Sequence, residues 1–344
     1  IKKEHLDTAR DALKKAGHTV FEAPPKSTST KSPTTESTAT ESSTTTTSTD
    51  ITIDTTEVAG FAPFALERYF AKHEFSAPYL LCCSDVEPLL QKELLEMADD
   101  ECKQLWDQLS LGYTESQGLP LLREEIIKQY NSEVTTEDLL VIAPEEGIYL
   151  ASRALLHKGD TIIVPWPCYQ SLSEIAAAIG CTVLKWKPVE DENSGLLNFQ
   201  ASTLVNMIQK NHPKLVVVNF PHNPTGLTIS KNDFIKIVDA CKLEDDCWLF
   251  SDEMYRGLEQ DSSTKLPSAI ELNYDRTISL AGMSKLYGLP GLRIGWVISM
   301  NKKIMKKMCQ LRDYTTICSS APSEILSLIG LRNHVQLTDR SMSI

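Results

Sequence analysis

An α/β fold on a largely parallel sheet is predicted by three features of the sequence. Short β-branched runs alternate with helical segments over most of the chain, an order that produces parallel strands joined by crossover helices. The 344 residues are 42% hydrophobic, enough for a substantial core. Each apolar run also ends in polar residues, and open α/β sheets bind ligands at the carboxyl ends of their strands.

The elements follow in order. "IKKEHLDTARDALKKAGHTVFEA" has a short helical pattern with Gly17 as its stop, so residues 1–26 read as a helical remnant. Serine and threonine fill 18 of the 23 positions from Ser27 to Thr49, a composition with almost nothing to bury, so residues 27–58 read as a disordered linker. Order is expected from residue 59, beginning with the amphipathic helix "FAPFALERYFAKHEF". "LLVIAP" then precedes the helix "GIYLASRALLHKG", and "TIIVP" precedes "YQSLSEIAAAIG". "KLVVVNF" leads to "NDFIKIVDACK", and the runs "CWLFSDE" and "TISLAG" follow. "NKKIMKKMCQL" spaces its lysines as the solvated face of a helix.

Charge and cysteine usage narrow the class. A formal charge of −12 repels nucleic acid and anionic membrane surfaces at long range, so any bound anion needs a local cationic site. No apolar run reaches the length of a membrane span, and no secretory signal core is present. The nine cysteines include no CxxC pair and no zinc spacing, which predicts reduced core thiols, no metal and a cytoplasmic protein. The chain begins at Ile1, so a targeting peptide upstream stays open.

The strand ends supply the chemistry. "VIAPEEG" runs into a helix start, "VPWPCY" presents Tyr169, and "VVNFPHNPTG" presents Asn223. "LFSDEMY" presents Asp252 and Tyr255, and "LAGMSK" presents Ser284 and Lys285. Singly, each has a plain reading: Asn223 as a turn former, Asp252 as a helix cap, Tyr255 and Tyr169 as packing residues. His222 reads as support for the turn at Asn223. Five such ends in one order along one domain are a different matter.

With "NFPHNPTG", "SDEMY" and "SKLYGLPGLRIGW" as its strongest blocks, the chain from about Gly60 onward resembles the class I/II pyridoxal-phosphate-dependent aminotransferases of fold type I. The resemblance implies a three-layer domain with a mostly parallel, seven-stranded sheet over residues 100–300, and a small domain, incomplete here, from 59–99 and 301–344. It implies pyridoxal 5′-phosphate as cofactor, with Lys285 as the Schiff-base lysine and proton carrier. Asp252 would keep the pyridine nitrogen protonated, and Asn223 and Tyr255 would hydrogen-bond the phenolic oxygen. Tyr169 would stack on the ring. Arg293, eight residues after Lys285, would clamp the phosphate with its planar fork.

Backbone groups at Glu146 and Gly147 would complete the phosphate site, with Gly147 allowing close approach and the Glu145 and Glu146 side chains turned away. Tyr113, in "GYTESQGLPLLREEI", would reach the phosphate of a neighbouring subunit, making the active unit a homodimer. Two departures stand out. Gly282 occupies a position where many relatives carry serine, leaving Ser284 to supply a hydroxyl. Only 59 residues follow Lys285, and neither Arg332 nor Arg340 matches the family's substrate-carboxylate arginine, so the chain reads as truncated.

The function expected from the resemblance is transamination between an amino acid and a 2-oxo acid. Two readings compete with it: a lyase or cyclising synthase on the same scaffold, and a truncated cofactor-binding homologue without catalysis. Lys285, Asp252 and Arg293 would serve both enzyme readings, so motifs do not separate them.

Overall fold

A computed structural model describes residues 60–80, 82–130, 133–191 and 195–344. The expected N-terminal helix and the Ser/Thr-rich segment lie outside the described residues. Where the sequence predicts strands and helices, the chain forms them. The strands are β1 (Leu139–Ile142), β2 (Thr161–Pro165), β3 (Thr182–Trp186), the short hairpin pair β4 (Val189–Glu190) and β5 (Leu197–Asn198), β6 (Leu215–Asn219), β7 (Trp248–Asp252), β8 (Thr277–Gly282) and β9 (Gly295–Ile298).

Seven strands make one sheet in the order β1-β9-β8-β7-β6-β2-β3. All pairings are parallel except those of β9, which runs antiparallel to both β1 and β8. This reversal matters for the site. The carboxyl ends of β1, β2, β6, β7 and β8 face one edge of the sheet, and the chain entering β9 arrives at that same edge.

Helices cover both faces, because successive residues of a buried strand point to opposite sides. Leu215 and Val217 of β6 pack with α5 (Pro144–Leu155), α6 (Ser171–Ile179) and α9 (Lys302–Arg312). Val216 and Val218 of the same strand pack on the other face with α7 (Ala201–Asn211) and α8 (Lys231–Lys242). Farther along that face, Val141 and Trp296 pack with α2 (Gln91–Glu96), α3 (Asp100–Asp107), α4 (Pro120–Ile127) and α10 (Ala321–Arg332). Two further helices, α1 (Ala65–His73) and α11 (His334–Ser343), flank these layers.

Local chemistry sets the helix ends. Pro144 opens α5, where its missing N–H costs no hydrogen bond. Ser230 caps α8 by accepting from the Asp233 N–H at 3.1 Å, and Asn301 caps α9 by accepting from Lys303 and Ile304. α6 stops at Gly180, whose φ of 97° is left-handed. Helix α9 buries Ile304, Met305 and Met308 and leaves its lysines exposed, as its spacing predicts. The cysteines are free, but Cys82 and Cys83 are exposed. The reading of all nine as core thiols fails at those two, which sit in non-regular chain ahead of α2.

Candidate active site at the carboxyl edge of the sheet

A cavity of about 460 Å³ opens at the carboxyl edge of the sheet. Its wall collects residues from every strand that ends there: Pro144 and Glu145 after β1, Tyr169 after β2, Asn223 after β6, Asp252 and Tyr255 at and after β7, and Ser284 and Lys285 after β8. Arg293 enters from the segment leading into β9. Seven of the sequence-predicted residues thus meet in one place: Lys285, Asp252, Asn223, Tyr255, Tyr169, Ser284 and Arg293.

Strand register holds the centre of this group. Asn219 and Asp252 are Cα partners across β6 and β7, and Asp252 is in turn paired with Leu280 of β8. The buried Asn219 side chain ties the centre together, donating to the Asp252 carbonyl at 3.0 Å and accepting from the Asn223 N–H at 2.9 Å. Asp252 is 6% exposed, and its Oδ1 accepts from the Met254 N–H at 3.2 Å. Burial, with Glu253 and Glu145 adding like charge, raises its pKa to about 7. His222 is confined to its turn, with Nδ1 2.7 Å from Thr225 Oγ1 and burial lowering its pKa to about 4.

Residues 82–90 form a strap that crosses this edge before α2. Ser84 Oγ accepts from Tyr255 Oη at 2.8 Å and from Lys285 Nζ at 3.2 Å, and Asp85 forms an ion pair with Lys285. Lys285 Nζ also lies 5.9 Å from the centre of the Tyr255 ring. The strap is held by Arg340, which donates to the Glu87 carbonyl at 2.7 Å, and by Val86, whose methyl lies over Gly288. Arg332 is occupied elsewhere, paired with Asp99 and Glu101 at 2.7 and 2.6 Å. Neither arginine lines the cavity.

The start of α5 corrects two expectations. Glu146 turns away as predicted, accepting from Thr315 and Thr316, but Glu145 faces the cavity and accepts from Ser171 Oγ. Burial pushes the Glu145 carboxyl above its usual pKa. Gly147 is not needed for a ligand. Its N–H is already bonded to Ala143, and a Cβ there would press on Val297 and Leu280 at 3.1 and 3.2 Å, so glycine serves helix-on-sheet packing. The first-turn N–H groups left for an anion belong to Glu145 and Glu146.

Tyr113 lies outside the cavity and is 89% exposed, beside Thr316, Ser319 and Pro322. Tyr169 lines the cavity with its ring centre 5.3 Å from that of Phe64. Gly282 has no room for the serine common among relatives: a Cβ would lie 3.0 Å from the Gly295 Cα and 3.2 Å from Pro144. Ser284 supplies the alternative hydroxyl. Its Oγ is buried and has no hydrogen-bond partner, and the residue lines the cavity.

Sequence reasoning missed the strap and the part that α1, itself expected, plays in the cavity wall. Ser84, Asp85, Glu67 and Glu74 all line the cavity; Ser84 and Asp85 close the apolar run "YLLCC", but residues 82–90 form no strand, and none of the four sits in a recognisable motif. Asn219 had a signal that went unused, since it closes the run "KLVVVN" ahead of Asn223.

The donor set fits pyridoxal 5′-phosphate. The group needs an amine nucleophile, a carboxylate for its ring nitrogen, donors for its phenolic oxygen and a cationic, N–H-lined phosphate site; Lys285, Asp252, Asn223 with Tyr255, and Arg293 with the α5 start supply them. The orphaned Ser284 hydroxyl is a further donor awaiting an acceptor. Arg293 adopts the left-handed conformation at φ 55°, a strained backbone of the kind that persists at functional sites.

Comparisons with known proteins agree with this arrangement. The chain is 29% identical over 239 residues to an aspartate aminotransferase of Pyrococcus horikoshii, covering 68% of this chain and 59% of that enzyme. It is 31% identical over 188 residues to a capreomycidine synthase of Streptomyces vinaceus, covering 55% of this chain and 46% of the synthase. It thus spans about half the length of these relatives. Among solved structures, a PLP-dependent aminotransferase from Streptococcus suis superposes with a TM-score of 0.72 at 27% identity, covering 81% of this chain and 73% of that one. Residues 85–334 match the family description of the class I and II aminotransferases, and the chain belongs to that pyridoxal-phosphate-dependent family.

Proposed function

We propose that the chain binds pyridoxal 5′-phosphate on Lys285 and exchanges an amino group between an amino acid and a 2-oxo acid. The observation that carries this reading is the meeting of Lys285, Asp252, Asn223, Tyr255 and Arg293 on one cavity wall. When bound, the cofactor supplies an aldehyde that captures amines and a ring that accepts the electron pair released when a Cα–H bond breaks.

The protein's part is to bind, orient and move protons. Neutral Lys285 Nζ would supply the amine that the cofactor's aldehyde captures with loss of water and, once freed, would carry a proton to and from the substrate Cα. Asp252, fixed between β6 and β8, holds a proton on the ring nitrogen. Because its pKa is near 7 before any partner arrives, a cationic ring nitrogen there favours the ionised carboxylate and gains a charge-paired bond in return. Asn223 and Tyr255 orient the phenolic oxygen. Arg293, Ser284 Oγ and the Glu145 and Glu146 N–H groups would hold the phosphate, and Tyr169 would stack on the ring. The exposed Tyr113 is assigned to the phosphate of a second subunit in a homodimer, which analytical ultracentrifugation tests directly.

Borohydride treatment of the purified yellow protein should fix the cofactor on the Lys285 peptide. Colourless protein that takes up no cofactor overturns the proposal. A panel of amino acids should then yield 2-oxo acids and the pyridoxamine form of the cofactor. The similarity to a capreomycidine synthase supports a second reading, a cyclising or eliminating enzyme. Ammonia or a cyclic product without pyridoxamine would select it.

A further inference from the structure

The cavity carries more negative charge than the proposed cofactor uses. Five carboxylates line it, Glu67, Glu74, Asp85, Glu145 and Asp252, against the cations Lys285 and Arg293. On the reading above, Asp252 is committed to the ring nitrogen and Arg293 to the phosphate. Glu145 is bonded to Ser171. Three carboxylates remain: Glu67 and Glu74 from α1, and Asp85 from the strap.

Among the described residues these three lack lasting partners. Among the described residues neither Glu67 nor Glu74 forms an ion pair, and the cation beside Asp85 is Lys285. Lysine must shed its charge to act as a nucleophile, and a neutral amine no longer balances Asp85. The charge on Glu67 is felt inside the wall, because it raises the pKa of both Tyr169 and Glu145. The reading above already puts a ligand in the same space, with its phosphate on the Ser284 hydroxyl. Ser284 is 5% exposed, its Oγ has no partner, and it opens onto this cavity.

Carboxylates from two elements at one mouth favour a cation and oppose an anion. We infer that the site selects an amino acid whose side chain carries a positive charge, an ammonium or guanidinium, recognised by Glu67, Glu74 and Asp85. This inference rests on the proposal that Lys285 is the cofactor lysine. It disfavours aspartate and glutamate, whose side chains would meet the same three groups.

The test uses cofactor-loaded protein and two side chains of equal shape and unequal charge, L-arginine and L-citrulline, with L-glutamate as the anionic probe. Thermal shift and the visible spectrum both report half-saturation. Arginine should bind up to about tenfold more tightly than citrulline, and glutamate more weakly than either, given ion pairs worth up to about fivefold each at exposed positions. In a Glu67→Gln/Glu74→Gln double variant the arginine-to-citrulline ratio should fall about threefold to tenfold. High salt should lower the same ratio in the parent protein. A purely structural role for the glutamates would move both ligands together.

Equal binding of arginine and citrulline, a preference for glutamate, or a ratio unchanged in the variant overturns the inference. Borohydride labelling of Lys285 in the same preparation tests the underlying proposal separately. Labelled protein without a charge preference overturns the inference alone. Unlabelled protein overturns the cofactor assignment and, with it, the inference that rests on it.

Discussion

The floor and the rim of the cavity are built in different ways. On the floor, Asn219, Asp252 and Ser284 are buried and pinned by strand register or by turns leaving the strands. On the rim, Glu67, Glu74, Ser84 and Asp85 are exposed and belong to a short helix and a strap without regular structure. The groups proposed to serve every substrate sit in dense backbone, where movement is expensive. The groups proposed to choose among substrates sit where replacement costs little. Chemistry and choice are therefore separable by mutation.

The largest expected effect lies on the floor. Lys285→Ala should lower turnover by roughly 10⁴-fold and remove the borohydride-fixed adduct, while urea denaturation changes little because the side chain is partly exposed. Retention of the adduct would assign it to another lysine. Asp252→Ala should cost on the order of 10²-fold in kcat, with a blue-shifted cofactor spectrum that separates lost ring protonation from lost binding.

Backbone packing on the floor comes next. Gly295→Ala should destabilise the fold by about 2–3 kcal/mol in equilibrium denaturation, since its Cβ would lie 2.6 Å from the Ala281 carbonyl oxygen and 2.8 Å from Pro144. An unchanged denaturation midpoint would mean that the β8–β9 edge yields more than its geometry suggests.

A pH effect of similar size follows from Asp252. Its folded pKa, about 7, lies above the ordinary aspartate value of 3.8, so the folded state holds the proton more tightly. Stability from this group is fully present below pH 3.8 and lost as pH rises through about 7, by at most about 4 kcal/mol. Cofactor-free protein should lose stability over that window, and Asp252→Asn should flatten the slope. Glu324, also raised to about 7 by burial beneath Thr114, adds a parallel loss that the variant leaves in place.

The smallest effect belongs to the rim. Ser84→Ala removes hydrogen bonds from Tyr255 and Lys285 at an exposed position, so kcat/KM should fall by less than about fivefold with no change in melting temperature. A loss comparable to that of Asp252→Ala would erase the distinction between floor and rim.

The same division explains how much could be read from the sequence. Strand ends are local: a β-branched run, a polar residue and a helix start lie within ten residues, so Asn223, Asp252 and Lys285 were legible where they stand. The turn between Lys285 and Arg293 was legible too, since its glycines and proline are the means of bringing both side chains to one edge. Strap contacts are not local. Ser84 meets Tyr255 across 171 positions and Asp85 meets Lys285 across 200, with no periodicity to announce either. Glu145 and Gly147 were misread for another reason: the direction of a first-turn side chain depends on what packs beneath the helix, and Gly147 answers to Leu280 and Val297, which lie far along the chain.

One further consequence comes from the facing glycines Gly282 and Gly295, register partners across β8 and β9 with Pro144 against both. Such a triplet leaves a patch of bare main chain that no single substitution can decorate. A mutational scan read for stability should consequently be bimodal, near-silent along residues 82–90 and steeply intolerant at these three positions. A library meant to redirect substrate range would gain from sparing the triplet and spending its diversity on α1 and the strap.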